Sequence, residues 1–176
     1  MTLFQSTYLL GAILLALSAM FFLPKCKPAL FGFLRSKKAA VITFGGGGLW
    51  FLCILSKLTE ADFGEFKIYL IAIFGAAGLL AFKYLDDFLS VRGAAILGLL
   101  LSREFLDSAF MQEPAARLVL VVISYAIVLA SLYLGALRYS VRYFLEFLYA
   151  KRERTVCFAS LLFLLGASLF AATIFY

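Results

Sequence analysis

Histidine is absent from all 176 residues. Its absence excludes His-ligated haem, His-based zinc or copper sites, and Ser-His or Cys-His catalytic pairs. Cysteine is sparse: Cys26, Cys53 and Cys157 stand far apart, with no CxxC spacing. Neither a disulfide framework nor a dithiol redox centre follows from them, and they read as small apolar packing residues or as residues near the interface. Charge is scarce too, at 15% of residues, and falls in five short clusters.

Between the clusters the chain is almost wholly apolar. Hydrophobic residues make up 65% of it, and the mean hydropathy is +1.04. A soluble domain of this size could not bury that much apolar surface. Lipid must therefore solvate most of it, and in hydrocarbon only helices or a closed barrel satisfy every backbone polar group. The apolar runs are continuous rather than alternating, and rich in Leu, Ala and Phe, which selects helices. The expected fold is all-α: a polytopic transmembrane helical bundle forming a single integral membrane domain over residues 1–176.

Six spans are expected: about 8–23, 39–55, 68–85, 88–106, 118–137 and 155–176. The first resembles a signal peptide in having an apolar run, Leu9 to Leu23, with Ala16 and Ser18 near a small-residue cleavage pattern. No side-chain charge precedes it and basic residues follow it, so a retained span with its amino terminus outside is the better reading. The fourth span is the short one. Only Gly93 to Ser102 is free of charge, about 15 Å of helix against a hydrocarbon core of about 30 Å. Extension from Phe88 to Leu106 reaches spanning length, with Arg92 and Arg103 snorkelling to opposite interfaces. A re-entrant segment is the alternative.

Basic residues decide between them. With six crossings and both termini outside, the inner clusters hold 12 basic and 4 acidic residues, and the outer loops 4 basic and 6 acidic. A fourth segment that did not cross would put Arg138, Arg142, Lys151, Arg152 and Arg154 outside, against the positive-inside bias. This places both termini on the non-cytoplasmic side, of a bacterial inner membrane. The net charge of +6 is then an orientation signal. No soluble basic domain exists to bind nucleic acid.

Residues 138–152 form a seventh candidate helix. Leu137, Val141, Phe144, Leu145 and Leu148 recur at helical spacing, opposite Arg138, Arg142 and Glu146. An amphipathic helix in the inner headgroup layer and an extension of the fifth span both fit this pattern. Laid without gaps, residues 12–51 match 126–165 at nine positions, among them Phe33-Leu34 with Phe147-Leu148 and Lys37 with Lys151. Such a match points to a parallel repeat of spans one-two and five-six around a central hairpin.

Few residues offer chemistry. Gly45, Gly46, Gly47 and Gly48 stand inside the second span. They allow either close helix packing or a broken helix that lines a path or holds an ion. Asp86 and Asp87, with Lys83 and Arg92 nearby, form either a cation or proton site or an interfacial salt-bridge cluster. Arg103 and Asp107 are spaced as an i,i+4 pair with Glu104 between them, and read as an interface anchor. The acids lack the spacing of lipid phosphotransferase motifs, and no cofactor or metal motif is present. The expected function is therefore non-enzymatic: an accessory or assembly subunit of a membrane complex, acting through small-residue faces on a protein partner or a second copy. A small-solute or ion transporter is the rival, with Thr43, Ser124 and Ser131 as its mid-span polar groups. A lipid-modifying enzyme using the Asp86-Asp87 pair is a third, weaker alternative.

Overall fold

A computed structural model describes residues 2–59, 64–84, 88–137 and 139–175, and among these there are helices and no strands. Each helix start and stop has a local cause. Helix α1 (Leu3–Phe22) opens with a capping box, the Gln5 N–H donating to Thr2 Oγ1 and the Thr2 N–H to Gln5 Oε1. Helix α2 (Lys27–Arg35) has Pro28 in its first turn, where the missing N–H is not needed. Ser36 then caps α3 (Lys37–Ala40) by accepting from the Ala39 N–H. A π-helical turn (Val41–Gly45) leads into α4 (Gly46–Ser56), so that 37–56 forms one 20-residue rod.

Helices α5 (Lys67–Tyr84) and α6 (Leu89–Ala109) follow, with Phe88 in the left-handed region (φ 58°) at the start of α6. Helix α7 (Arg117–Ala136) ends where Leu137 leaves helical geometry. Helix α8 (Ser140–Ala150) begins three residues later, and extended Lys151 separates it from α9 (Arg152–Ala172). The expected amphipathic segment is thus a separate short helix, Ser140–Ala150, and not a continuation of the fifth span. Its Arg142 and Glu146 pair at 2.8 Å.

Among the described residues, five stretches are long and apolar enough to cross a bilayer: Leu3–Phe22, Lys37–Ser56, Lys67–Tyr84, Arg117–Ala136 and Arg152–Phe175. They lie within about four residues of the expected span limits, except that the first begins five residues earlier. Helix α6 is not among the five. At 21 residues it has the length, about 31 Å, but it carries Arg92, Arg103, Glu104 and Asp107.

The helix least suited to lipid by composition is the one the others surround. Ten of the 21 residues of α6 are buried, whereas α5 has no buried residue among its 18. Helix α6 packs along α7, against the π-turn and α4, and touches α1, α2 and α3. It also joins two apolar clusters. Near its start Phe88 and Val91 meet Leu34 of α2 and Leu145 of α8. Near its end Phe105 and Ala109 meet Leu3 of α1, Leu120 of α7 and Leu169 of α9. Its charges stay at the rims, with Arg103 and Asp107 exposed and 3.7 Å apart.

Glycine sets the helix spacings. At Gly93 a side chain would run into the backbone of Thr43 and Phe44, and at Gly98 into the Ser131 hydroxyl. Between α1 and α9, Gly166 lies beneath Leu15 and Gly11 beneath Phe170. These are the close approaches that association in lipid favours, where dispersion and hydrogen bonds replace the hydrophobic effect. Hydroxyls fasten the same contacts. Ser18 donates to the Ala159 carbonyl at 2.8 Å, tying α1 to α9. Ser90 donates to the Phe33 carbonyl at 2.7 Å, tying α6 to α2. Each such bond contributes roughly 0.6 kcal/mol in a membrane bundle.

The order long helix, short helix, long helix occurs twice. Leu3–Phe22 and Arg117–Ala136 are equal in length and 114 residues apart, and α2 and α8 keep that displacement to within one residue. The surroundings differ. Helix α9 lies directly on α1, while α4 lies on α6 and α5.

Because the atoms facing Gly93 are backbone, they cannot rotate away. Gly93→Leu should lower the detergent-solubilised protein's stability by about 1–3 kcal/mol or more. Gly32→Leu, in open space within α2, should be neutral or stabilising by up to about 1 kcal/mol. Thermal unfolding followed by circular dichroism checks the difference.

Candidate functional site

The four glycines do not act as a unit. Gly45 closes the π-turn and Gly46 returns to α-helical backbone, with its N–H on the Ile42 and Thr43 carbonyls. The helix does not break to expose carbonyls to an ion. Gly47 packs on α6, where an added Cβ would sit 3.1 Å from Ile96 and 3.4 Å from Leu97. Gly46 and Gly48 have nothing within 4 Å, and Gly45 meets only Phe82, at 3.7 Å. Of the four glycines, only Gly47 lies in close contact with α6.

Gly45 and Gly48 instead form one wall of a cavity of about 700 Å³, within the range of about 300–1,000 Å³ common to small-molecule sites. Helix α5 supplies the opposite wall with Phe74, Gly75, Gly78 and Phe82, and α6 the floor with Ile96, Leu99 and Leu100. Every lining residue is apolar or glycine. The edge-on ring pairs Phe44–Phe82 (5.4 Å) and Phe51–Phe74 (5.2 Å) hold α4 and α5 together at either end of it. The cavity exists because the facing residues are small: two aromatic pairs set the spacing, and glycines do not fill the gap.

A second cavity of about 180 Å³ adjoins the first, with Phe82 lining both. Its other residues include Arg35, Ser36, Lys37, Leu89 and Ser90, so it combines two cations with two hydroxyls. The Ser90 hydroxyl donates to the Phe33 and Leu34 carbonyls. Thr43 Oγ1 donates to the Ala39 carbonyl at 2.8 Å and reaches the Ser90 carbonyl at 3.2 Å. These bonds join α2, the π-turn and α6 around the small cavity. The Ser36 oxygen accepts from the Ala39 N–H and retains its own proton to donate.

The remaining sequence candidates lie elsewhere. Asp86 and Asp87 fall outside the described residues. Arg92 is half-buried one turn into α6. Arg103 and Asp107 form an exposed pair at the opposite end of that helix. Of the mid-span hydroxyls, Thr43 is engaged as above, Ser131 packs on Gly98, and Ser124 is fully buried. None of the three lines either cavity. Among the described residues no three His, Cys, Asp or Glu side chains come together.

Tyr149 lies at the basic end, with its ring near Phe21, Phe31 and the Lys27 ammonium. Burial holds its phenol above the ordinary value. Its role is to seat α8 on α1 and α2. Sequence reasoning missed both cavities. A signal existed in the four-residue repeat of small positions Gly75-Ala76-Ala77-Gly78, but pairing it with Gly45 and Gly48 required the helix order. No family model, curated protein or solved structure matches the chain.

The two environments of the glycines can be separated by substitution. Gly47→Leu should destabilise the protein by about 1–3 kcal/mol through overpacking on Ile96 and Leu97. Gly46→Leu should be neutral or stabilising by up to about 1 kcal/mol, since leucine favours helix. Melting of the two variants beside the parent protein gives the comparison, and equal losses would contradict the assignment.

Proposed function

We propose that this is an integral membrane protein of six crossings that acts through helix–helix contacts, as an accessory or assembly subunit of a larger membrane complex. The supporting observation is α5. It is a span of 18 residues with none buried, held to the rest chiefly through α4. Ile68, Tyr69, Ala72, Ile73, Ala76, Leu80 and Tyr84 are all exposed along it. Small residues let a second backbone come close in lipid, and large neighbours supply the dispersion contact. A partner helix seated here would give α5 the burial the other spans already have. The buried polar groups favour this reading over transport: the described ones are hydroxyls of Ser and Thr, several of them bonded to backbone carbonyls.

The sixth crossing in this proposal is α6. Its two ends join clusters formed by opposite ends of α1, which supports a full traverse. Both termini then share the side opposite α2 and α8. With Lys25, Lys27, Arg35, Lys37, Lys38, Lys151, Arg152 and Arg154 at the α2 and α8 end, the positive-inside bias puts that end in the cytoplasm of a bacterial inner membrane. The common displacement of α1 to α7 (114 residues), kept within one residue from α2 to α8, supports descent from a duplicated unit, with α5 and α6 as the inserted hairpin.

Purification from native membranes in a mild detergent tests the function. A stoichiometric membrane partner or a homo-oligomer is expected, and Ala72→Leu with Ala76→Leu should reduce its recovery several-fold. A monodisperse monomer without a partner would contradict the proposal.

A further inference from the structure

The adjoining cavities point to a ligand of two parts. The apolar one extends along the rod 37–56 from Phe44 to Leu52 and along α5 from Phe74 to Phe82, about 12 Å of helix. That is close to one leaflet, about 15 Å, and far short of the about 30 Å that a transmembrane partner helix would fill. Its Phe82 end meets the small cavity with Arg35, Ser36 and Lys37. This is the basic end of the bundle, beside Lys25, Lys27 and Lys38 on the acid-free segment 24–38. The long part of the ligand is therefore hydrocarbon, one leaflet deep. The short part is anionic and lies at headgroup depth.

We infer that the two cavities together bind one anionic phospholipid, its phosphate near Arg35 and Lys37 and an acyl chain between α4 and α5. Positive side chains at a membrane surface attract anionic headgroups, and guanidinium and ammonium groups suit a phosphate. The Ser36 hydroxyl has a proton to donate to the same oxygen atoms. Phe82 stands at the junction of headgroup and chain. This goes beyond the proposed helix contacts: the partner helix uses the outer side of α5, and the lipid the side facing α4 and α6. On the orientation proposed above, the lipid comes from the cytoplasmic leaflet.

The test uses the full chain in a mild detergent, offered equimolar dioleoyl phosphatidylglycerol and dioleoyl phosphatidylcholine, and read by native mass spectrometry. One phosphatidylglycerol per chain should be retained, with a several-fold preference, the order expected where basic side chains meet a headgroup surface. Arg35→Gln with Lys37→Gln should bring the preference to about one. Gly78→Leu should reduce retention of both lipids without lowering the melting temperature, because that position faces open space. Gly48→Leu, equally unobstructed, provides a second plug from the opposite wall. Equal retention of the two lipids by the parent protein would overturn the proposal. So would a preference that survives the double Gln variant, or full retention in both plugged variants. Retention of glycerol phosphate without chains, as strong as that of the lipid, would overturn the assignment of the apolar cavity. Failure to recover a protein partner would leave all these outcomes as they are, so the two proposals fail separately.

Discussion

Close approach of α6 to its neighbours at Gly93 and Gly98 governs the rest of the architecture. At Gly93 the backbone of α6 lies against Thr43 and Phe44, and at Gly98 against Ser131 of α7. In lipid, apolar side chains gain little by leaving one hydrocarbon for another, so helices associate by fit and by hydrogen bonding. A helix with small residues on two sides can lie between two partners. That position suits α6 for a second reason: its Arg92, Arg103, Glu104 and Asp107 flank an apolar middle, and protein buries Leu89 to Val91 near one end and Phe105 and Ala109 near the other. The neighbours adjust locally, and the π-turn Val41–Gly45 lies where α4's rod meets Gly93.

The position of α6 explains both cavities. With α4 held on α6 through Gly47, and α5 held on α4 through two aromatic pairs, a gap remains that glycine does not fill. At the basic end the Ser90 bonds draw α2 onto α6 and bring Arg35, Ser36 and Lys37 beside Phe82. The opposite side of the molecule is closed: α1 and α9 meet through Gly11, Gly166 and the Ser18 bond. The asymmetry between open and closed halves follows from where α6 inserts.

The helices themselves were largely legible in the sequence, because charge is confined to the segments between apolar runs and the span limits follow it within a few residues. The separate helix 140–150 was legible as periodicity; the break before it was not, since Leu137 carries no turn signal. The special status of α6 was visible as a conflict between its length and its charge, and burial resolves that conflict. The cavities were not legible. They depend on which side of α4 each of four consecutive glycines faces, and on α5 lying next to α4 with α6 behind. Neighbour relations of that kind arise from side-chain fit across chain-distant helices, as with Gly93 and Thr43, and leave no period along the chain.

The central claim is that α6 crosses the bilayer within the bundle. Its most direct test replaces Cys26, Cys53 and Cys157 by serine and introduces one cysteine at a time, at Arg142→Cys on α8 or Asp107→Cys near the end of α6. A membrane-impermeant maleimide is applied to intact spheroplasts and then to lysed ones. The account predicts that the Asp107→Cys protein is labelled in intact spheroplasts and the Arg142→Cys protein only after lysis. Labelling of both from the same side would contradict it.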